Sequence, residues 1–222
     1  MGRRVDGPGS PAAAPVGLAD LRQRSAATLM DRYDFPRAHA TQVRFLADRL
    51  AEQLAGELIL GEESRLILSF AALLHDIGWH FGQVRHHRRS YELIKDGGLS
   101  GFSAGQVELI ALVARYHRKA RPKVRHEAFA RLNAMDRQTV MRLAGVLRVA
   151  DGLDRSHRAA VQDVSVRLGS RRVRLVVTPR LDDVEPELWA AGRKKRLLET
   201  VLGRTVGLAV GPDRPERGIE SC

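Results

Sequence analysis

The most constraining feature of this sequence is a set of ionisable residues at positions where helices normally carry aliphatic side chains. The run SFAALLHDIGWH, residues 69–80, ends an apolar stretch in the adjacent pair His75 and Asp76. His39 begins one apolar stripe at helical spacing, and Asp151 ends another. Burying an imidazole or a carboxylate costs several kcal/mol unless a partner compensates it. The four side chains therefore predict a shared partner.

One divalent cation would satisfy all four groups, because three predicted helices each direct an ionisable side chain inward. Neutral imidazoles and carboxylates bind Mn, Mg, Fe, Co, Ni and Zn to different degrees, so the set predicts a divalent metal ion without selecting its identity. The only cysteine, Cys222, occupies the last position. A thiolate metal site and an internal disulfide are therefore excluded.

Composition indicates a soluble globular chain with one substantial core. The 222 residues are 44% hydrophobic and 28% charged. No apolar run approaches the roughly 20 residues that a membrane span needs. The first 17 residues lack the apolar segment of a signal peptide, so we expect a cytoplasmic protein with a disordered leader.

The net charge of +11 raises the possibility of a nucleic-acid partner. Arginine and lysine are dispersed over every segment, however, and few aromatic residues are present to stack on bases. We therefore favour a solvated basic surface over a nucleic-acid interface. Such a surface would still steer an anionic small substrate toward the protein.

The pattern along the chain predicts a mainly α fold with a small C-terminal appendage. Ser103 and Gln106 have the form of a capping box. We expect four segments: a disordered leader at 1–17, a helical domain at 18–158, an α+β appendage at 159–210 and a flexible tail at 211–222. Helices are predicted at about 18–34, 34–56, 62–76, 88–96, 104–117 and 136–153.

The appendage is predicted to be a β-hairpin, a helix and a strand. Residues 161–179 alternate apolar and charged side chains around Gly169 and Ser170, which is typical of a hairpin. A helix at 185–203 and a strand at 205–210 follow. Apolar residues on the hairpin and the last helix either cover the helical domain or form a homodimer.

The order His39, then His75 and Asp76, then Asp151 resembles the motif of the HD-domain metal-dependent phosphohydrolases. Four blocks extend the resemblance to the C-terminal HD-type module of the Ppx/GppA (exopolyphosphatase/guanosine pentaphosphate phosphatase) family: LLHDIGWH, HHRRSYELI, GFSAGQVELIALVARYHRK and LAGVLRVADGLDRSH. It covers about residues 20–210 and implies an HD-type helical bundle with a strand-rich cap. No counterpart of that family's actin-like domain is present in the sequence, so we expect a stand-alone HD module.

The resemblance implies roles for particular residues. His39, His75, Asp76 and Asp151 would bind the metal, and Asp76 would also act in catalysis by orienting a nucleophilic water. The expected substrate-binding residues are His87, His117, Arg115, Arg118 and Lys119. One metal ion is favoured over two. Many HD phosphohydrolases carry a phosphate-binding Lys where this sequence has Trp79.

Three functions follow from this interpretation. The leading one is metal-dependent hydrolysis of a phosphate ester in a nucleotide or another phosphorylated small molecule. A second is a non-catalytic module that binds polyphosphate, a guanosine alarmone or RNA. A third is an interaction domain that completes a phosphatase with a separate actin-like subunit.

Overall fold

The computed structural model describes residues 17–34 and 37–211. The predicted leader, apart from Gly17, and the predicted tail, apart from Gly211, lie outside the described residues. The first part of the chain is helical. Its elements are α1 (Leu18–Arg32), α2 (Arg37–Gln53), α3 (Ala55–Leu58), α4 (Glu62–Leu74), a 3₁₀ helix (Ile77–Phe81), α5 (His86–Asp96), α6 (Ala104–Arg115), α7 (Glu127–Ala130) and α8 (Ala134–Gly152).

The last fifty residues of the described chain form the appendage. It consists of β1 (Val161–Leu168), β2 (Arg172–Pro179), α9 (Glu185–Lys194), α10 (Arg196–Leu202) and β3 (Thr205–Val210). The predicted fold class, a mainly α chain with a C-terminal β-hairpin–helix–strand appendage, is confirmed. The helix predicted at 185–203 is two helices that meet at Lys195.

Side-chain caps fix the first residues of α6 and α8. Ser103 and Gln106 form the predicted capping box at the start of α6. The Asn133 side chain accepts a hydrogen bond from the Asp136 amide at 2.8 Å, so α8 begins at Ala134, slightly earlier than expected.

The core lies between α2, α4, α6 and α8, which pack against one another. The apolar stripes of these helices are fully buried there, as Leu46 and Leu50 on α2 illustrate. Burial of such a stripe supplies most of the stability of a helix in water. Because each helix contributes its apolar face, any ionisable residue on those faces is buried as well.

The sheet is attached to this bundle through α2. β1 pairs antiparallel with β2, and the Gly169 amide donates to the Arg172 carbonyl at 2.9 Å in the predicted turn. The Gln53 side chain bonds the β1 backbone at Val164 and Val166, at 2.9 and 2.8 Å. Val173, Leu175 and Val177 on β2 are fully buried. These side chains belong to the core, and the homodimer stays a prediction.

β3 pairs parallel with β2, which requires the chain to cross over between them. The crossover is α9 followed by α10, and both helices pack on α8. This connection carries α9 back to the helical bundle. None of the described helices combines the length and the apolar character required of a membrane-spanning segment.

Gly152, the last residue of α8, permits the contact with α9. A methyl group at this position would lie 2.6 Å from Ala191 Cα and 2.7 Å from its amide nitrogen. Those atoms belong to the backbone of α9, so the contact is relieved only when the helices move apart.

We predict that Gly152→Ala lowers the free energy of unfolding by about 1–3 kcal/mol, because overpacking separates α8 from α9. Urea unfolding followed by circular dichroism measures the loss. Gly105→Ala is the control: a methyl there meets only Ser103 Oγ at 3.9 Å, and alanine is the better helix former. Equal stability of the two variants would contradict the packing argument.

Candidate metal centre

The four residues that the sequence singled out come together at the centre of the bundle. His39 lies on α2, His75 and Asp76 follow the end of α4, and Asp151 lies on the last turn of α8. His75 Nε2 is 3.6 Å from Asp76 Oδ2 and 3.9 Å from Asp151 Oδ1. His39 Nε2 is 3.7 Å from Asp151 Oδ1. All four side chains are buried, with at most 8% of each residue exposed.

Two further histidines complete the cluster from the other side of Asp76. His86, the first residue of α5, and His117, just after α6, place Nε2 3.1 and 3.2 Å from Asp76 Oδ1. The donor atoms fall into two groups that share Asp76, and within each group they lie within 4.8 Å of one another. One group is His39, His75 and Asp76, and the other is Asp76, His86 and His117.

The ring nitrogen Nδ1 of each histidine is held by an acceptor. His75 Nδ1 donates to the Ala72 carbonyl and His117 Nδ1 to the Ala114 carbonyl, both at 2.7 Å. His86 Nδ1 donates to the Gln83 carbonyl at 3.0 Å. Because a carbonyl oxygen only accepts, Nδ1 carries the proton and the Nε2 lone pair faces the carboxylates.

His39 is held by a carboxylate instead. Its Nδ1 donates to Asp154 Oδ2 at 2.8 Å, while Asp154 Oδ1 accepts the Ala159 amide at 2.9 Å. Asp154 is 1% exposed. A carboxylate that holds the far nitrogen of a histidine fixes its ring orientation and strengthens it as a metal ligand.

The cluster contains buried polar atoms that the described residues leave unpaired. His39 Nε2, His75 Nε2 and Asp76 Oδ1 are buried and have no hydrogen-bond partner in that part of the chain. A buried polar atom without a partner is costly. Imidazole lone pairs that face carboxylate oxygens also repel one another, and a cation between them removes both costs. The donor set thus suits one divalent ion or two.

Shifted pKa values agree with this picture. Burial lowers the pKa of His75, and it lowers the pKa of His117 to about 3, so both imidazoles are neutral. Burial acts to raise the pKa of Asp151, but the Lys194 ammonium and the His39 ring bring it well below its usual value. The carboxylate is therefore ionised, as metal ligation requires.

His39 differs from the other histidines. Burial acts to lower its pKa, but the nearby carboxylates of Asp151 and Asp154 raise it to about 9. A metal ion bound at His39 Nε2 would displace a proton from that nitrogen, so metal binding would depend on pH.

Gly78, two residues after Asp76, lies where a side chain would not fit. A methyl group there would lie 2.3 Å from the His86 carbonyl oxygen. The Gly78 amide donates to Ser90 Oγ at 3.0 Å. Glycine therefore lets the start of α5 pack directly on the turn after Asp76, and this contact brings His86 into the cluster.

The sequence interpretation chose His87, and the structure places its neighbour His86 beside Asp76. His87 is half-buried and lines an adjacent pocket. The buried residues of α5 are His86, Ser90 and Ile94, a spacing of four that the sequence already contained. Asp154 was also missed: it lies three residues after Asp151, in the turn that follows α8. His157, which is exposed, stacks on His39 with ring centres 3.8 Å apart.

A cleft of about 440 Å³ opens onto the cluster. Asp76, His117 and Asp151 line it, and Trp79 and Trp189 contribute aromatic rings. Lys194 from α9 donates a hydrogen bond to Asp151. The other cations on the cleft are Arg118, Lys119, Arg155 and Arg193.

The predicted phosphate-binding residues divide into two sets. Arg118 and Lys119 line the cleft, as expected from their place after α6. Arg115 is absent from the lining, and its guanidinium lies over the rings of Tyr91 and Tyr116 at 5.3 and 5.7 Å. Arg115 is the last residue of α6 and faces Tyr91 on α5, whereas Arg118 and Lys119 lie beyond the end of α6.

Comparison with known families gives a match to the Ppx/GppA phosphatase domain III over residues 21–183. Two curated relatives are each described as a guanosine-5'-triphosphate,3'-diphosphate pyrophosphatase. The one from Aeromonas hydrophila is 30% identical over 132 residues, 59% of this chain and 26% of the relative. The one from Vibrio campbellii is 30% identical over 101 residues, 45% of this chain and 20% of the relative. The chain thus spans about a quarter or less of these relatives.

We predict that Asp154→Asn weakens metal binding by about 10–100-fold, because His39 loses its charged partner. Titration of chelator-treated protein with Mn²⁺ or Zn²⁺, followed by calorimetry and by the rise in Tm, measures the change. Asp163→Asn is the matched control, because it removes a carboxylate on β1 that pairs with Arg49 of α2. Unchanged affinity in Asp154→Asn would contradict the role of this carboxylate.

Proposed function

This chain belongs to the Ppx/GppA phosphatase family through its domain III, and we propose that it is a metal-dependent phosphohydrolase of a nucleotide or another phosphorylated small molecule. The observation that carries the proposal is the convergence of imidazole nitrogens and carboxylates on one cationic cleft. The names of the two relatives, which describe pyrophosphatases of a phosphorylated nucleotide, support the substrate class. A cytoplasmic location stays part of the proposal.

A divalent ion held by His39, His75, Asp76 and Asp151 would lower the pKa of a water molecule and neutralise charge on the phosphate. His86 and His117 offer a second set of ligands that shares Asp76. If only one metal ion binds, these two imidazoles would face the substrate instead. Their Nδ1 atoms are held by backbone carbonyls, so their orientation is fixed before any ligand arrives.

Asp76 is proposed to orient the attacking water. It is the one residue common to both groups of donor atoms, and its Oδ1 has no hydrogen-bond partner among the described residues. Burial acts to raise its pKa, but the surrounding imidazoles lower it below the usual value. An ionised carboxylate at this place can accept a hydrogen bond from water and hold it toward the phosphorus atom.

Many HD phosphohydrolases carry a phosphate-binding lysine at the position of Trp79, and we propose that Lys194 supplies this positive charge instead. Trp79 stacks on His86, with ring centres 4.9 Å apart, and so forms part of the cleft wall. Lys194 reaches Asp151 from α9. Together with Arg118 and Lys119 it would bind the non-bridging phosphate oxygens, for which charge-assisted hydrogen bonds are well suited.

The two tryptophans favour a nucleotide among the phosphorylated small molecules. Trp189 is 60% exposed and Trp79 is 38% exposed, and both line the cleft. Large aromatic rings that remain open to solvent next to cations suit the stacking of a nucleobase. The guanidinium of Arg193 already lies over the Trp189 ring at 5.0 Å.

A non-catalytic role is the second candidate, favoured by the basic residues of the cleft. In that case the chain would bind polyphosphate, a guanosine alarmone or RNA without turnover, and affinity would persist in a chelator. A partner role beside a separate actin-like subunit would instead show as co-purification of that subunit.

We predict that His39→Ala and Asp151→Ala each lower metal-dependent phosphatase activity by at least about a hundredfold while the protein stays folded, because each removes a metal ligand. The measurement is elemental analysis of protein purified without chelator, then a panel of phosphorylated substrates with the metal found.

His80→Ala is the control for this experiment, because His80 is exposed and lies outside both groups of donor atoms. Circular dichroism verifies that each variant is folded. Activity that survives both His39→Ala and Asp151→Ala would retire the proposal. Metal binding without turnover of any substrate in the panel would favour the non-catalytic role.

We predict that Lys194→Met lowers kcat/KM by about 10–100-fold, the value of one hydrogen bond from a charged donor. The aliphatic chain of methionine keeps the packing of the lysine stem. Lys195→Met is the matched control, since Lys195 bonds the Val206 carbonyl on β3 and does not line the cleft. An equal loss in both variants would show an effect on the fold rather than on phosphate.

A further inference from the structure

The turn between α8 and β1, residues 153–160, carries three side chains of the site. Asp154 accepts the hydrogen bond from His39 Nδ1 at 2.8 Å. His157 lines the cleft and stacks on the His39 ring, with the two ring planes only 3° apart. Arg155 also lines the cleft. The position of this turn therefore decides how His39 is held.

The backbone of this turn is strained. His157 and Ala159 have φ angles of 58° and 49°, in the left-handed region that residues with a side chain rarely adopt. Strained backbones of this kind persist only where contacts with the rest of the protein hold them. The turn therefore depends on groups outside its own backbone.

Three contacts hold the turn. Asp154 Oδ1 accepts the Ala159 amide at 2.9 Å, and the carbonyl at the end of the turn is bonded to the backbone that follows β2. From α9, Glu187 Oε1 accepts the Ser156 amide at 2.9 Å. This last contact joins the middle of the turn to a side chain 31 positions later in the chain.

Glu187 is a buried carboxylate that the proposed mechanism does not use. It is 1% exposed, and its Oε2 has no hydrogen-bond partner among the described residues. Burying a carboxylate with so few hydrogen bonds costs free energy. Its place in the first turn of α9 reduces the cost, because the positive end of the helix dipole favours a carboxylate. An apolar side chain would avoid the cost altogether, so the contribution of the carboxylate is its hydrogen bond to Ser156.

We infer that Glu187 is a positioning residue for the metal centre. It holds the strained turn through the Ser156 amide. The turn in turn keeps Asp154 on His39 Nδ1 and keeps His157 against the His39 ring. In this way α9 orients a proposed metal ligand that lies on another helix. The effect on metal binding rests on the proposed function, whereas the control of the turn by Glu187 does not.

The metal-binding experiment titrates the chelator-treated full chain with Mn²⁺ or Zn²⁺ by calorimetry. Glu187→Leu should raise the Kd about tenfold, as loss of a group that orients a metal ligand does. Glu187→Gln keeps an oxygen that accepts the Ser156 amide and should restore the Kd to within about threefold of the unaltered chain. Glu185→Leu is the matched control, because Glu185 lies in the same helical turn and is exposed, and it should change the Kd by less than about twofold.

Combination with Asp154→Asn distinguishes positioning from a general effect on the fold. If Glu187 acts through the turn, its loss matters only while the Asp154 carboxylate holds His39. Glu187→Leu should therefore raise the Kd by less than about twofold in the Asp154→Asn background. Circular dichroism and Tm establish that each variant is folded.

Amide hydrogen exchange, followed by NMR in the metal-free protein, examines the turn without a metal ion. Glu187→Leu should speed exchange at Ser156 and Ala159 by at least about tenfold, because the turn opens more often when α9 no longer holds it. Glu187→Gln and Glu185→Leu should leave both exchange rates within about threefold of those in the unaltered chain.

The outcomes separate this inference from the proposed function. Unchanged exchange rates in Glu187→Leu would overturn the positioning role, and so would a loss of metal affinity that is equal in Glu185→Leu. A loss of the same size with and without the Asp154 carboxylate would overturn it as well. Faster exchange in Glu187→Leu, when the unaltered chain binds neither metal ion, would support the control of the turn by Glu187 and contradict the proposed function.

Discussion

Repulsion between lone pairs is the constraint on which the rest of this structure depends. Four imidazoles present Nε2 to two buried carboxylates, and backbone carbonyls or Asp154 hold their opposite nitrogens. The rings cannot rotate away without breaking those bonds. The protein relieves only part of the repulsion: Lys194 bonds Asp151 and Arg118 bonds His86 Nε2 at 3.1 Å, whereas His75 Nε2 and Asp76 Oδ1 have no hydrogen-bond partner among the described residues. An additional cation would stabilise these remaining groups. A buried polar site of this kind lowers the stability of the folded protein unless a ligand occupies it.

The bundle creates this site by bringing the ends of its helices to one place. His39 lies in the first turn of α2, His75 follows α4, His117 follows α6 and Asp151 lies in the last turn of α8, and these four helices form the core. Rigid helices position side chains more accurately than loops do. The approach of α5 over Gly78 adds a further histidine.

The sequence predicted the centre of the site and less of its surroundings. His39, His75, Asp76 and Asp151 interrupt apolar stripes, so helical periodicity alone was enough to predict that they converge. The hairpin and the capping box followed from local turn and cap chemistry in the same way. Lys194 could not be assigned a role, because the position of α9 depends on the parallel pairing of β3 with β2, and that pairing is not encoded locally. Asp154 lies in the turn after α8, where helical periodicity no longer indicates which way a side chain faces. His86 and His87 are adjacent, and only the packing of α5 decides which one faces inward.

The late position of Lys194 in the chain has a consequence for biosynthesis. The ribosome delivers every imidazole and carboxylate of the cluster before it delivers α9, the helix that carries Lys194. A nascent chain thus exposes the cluster while no ammonium group competes for Asp151. Metal ions in the surrounding medium would reach Asp151 most freely before α9 packs on α8 and forms one wall of the cleft.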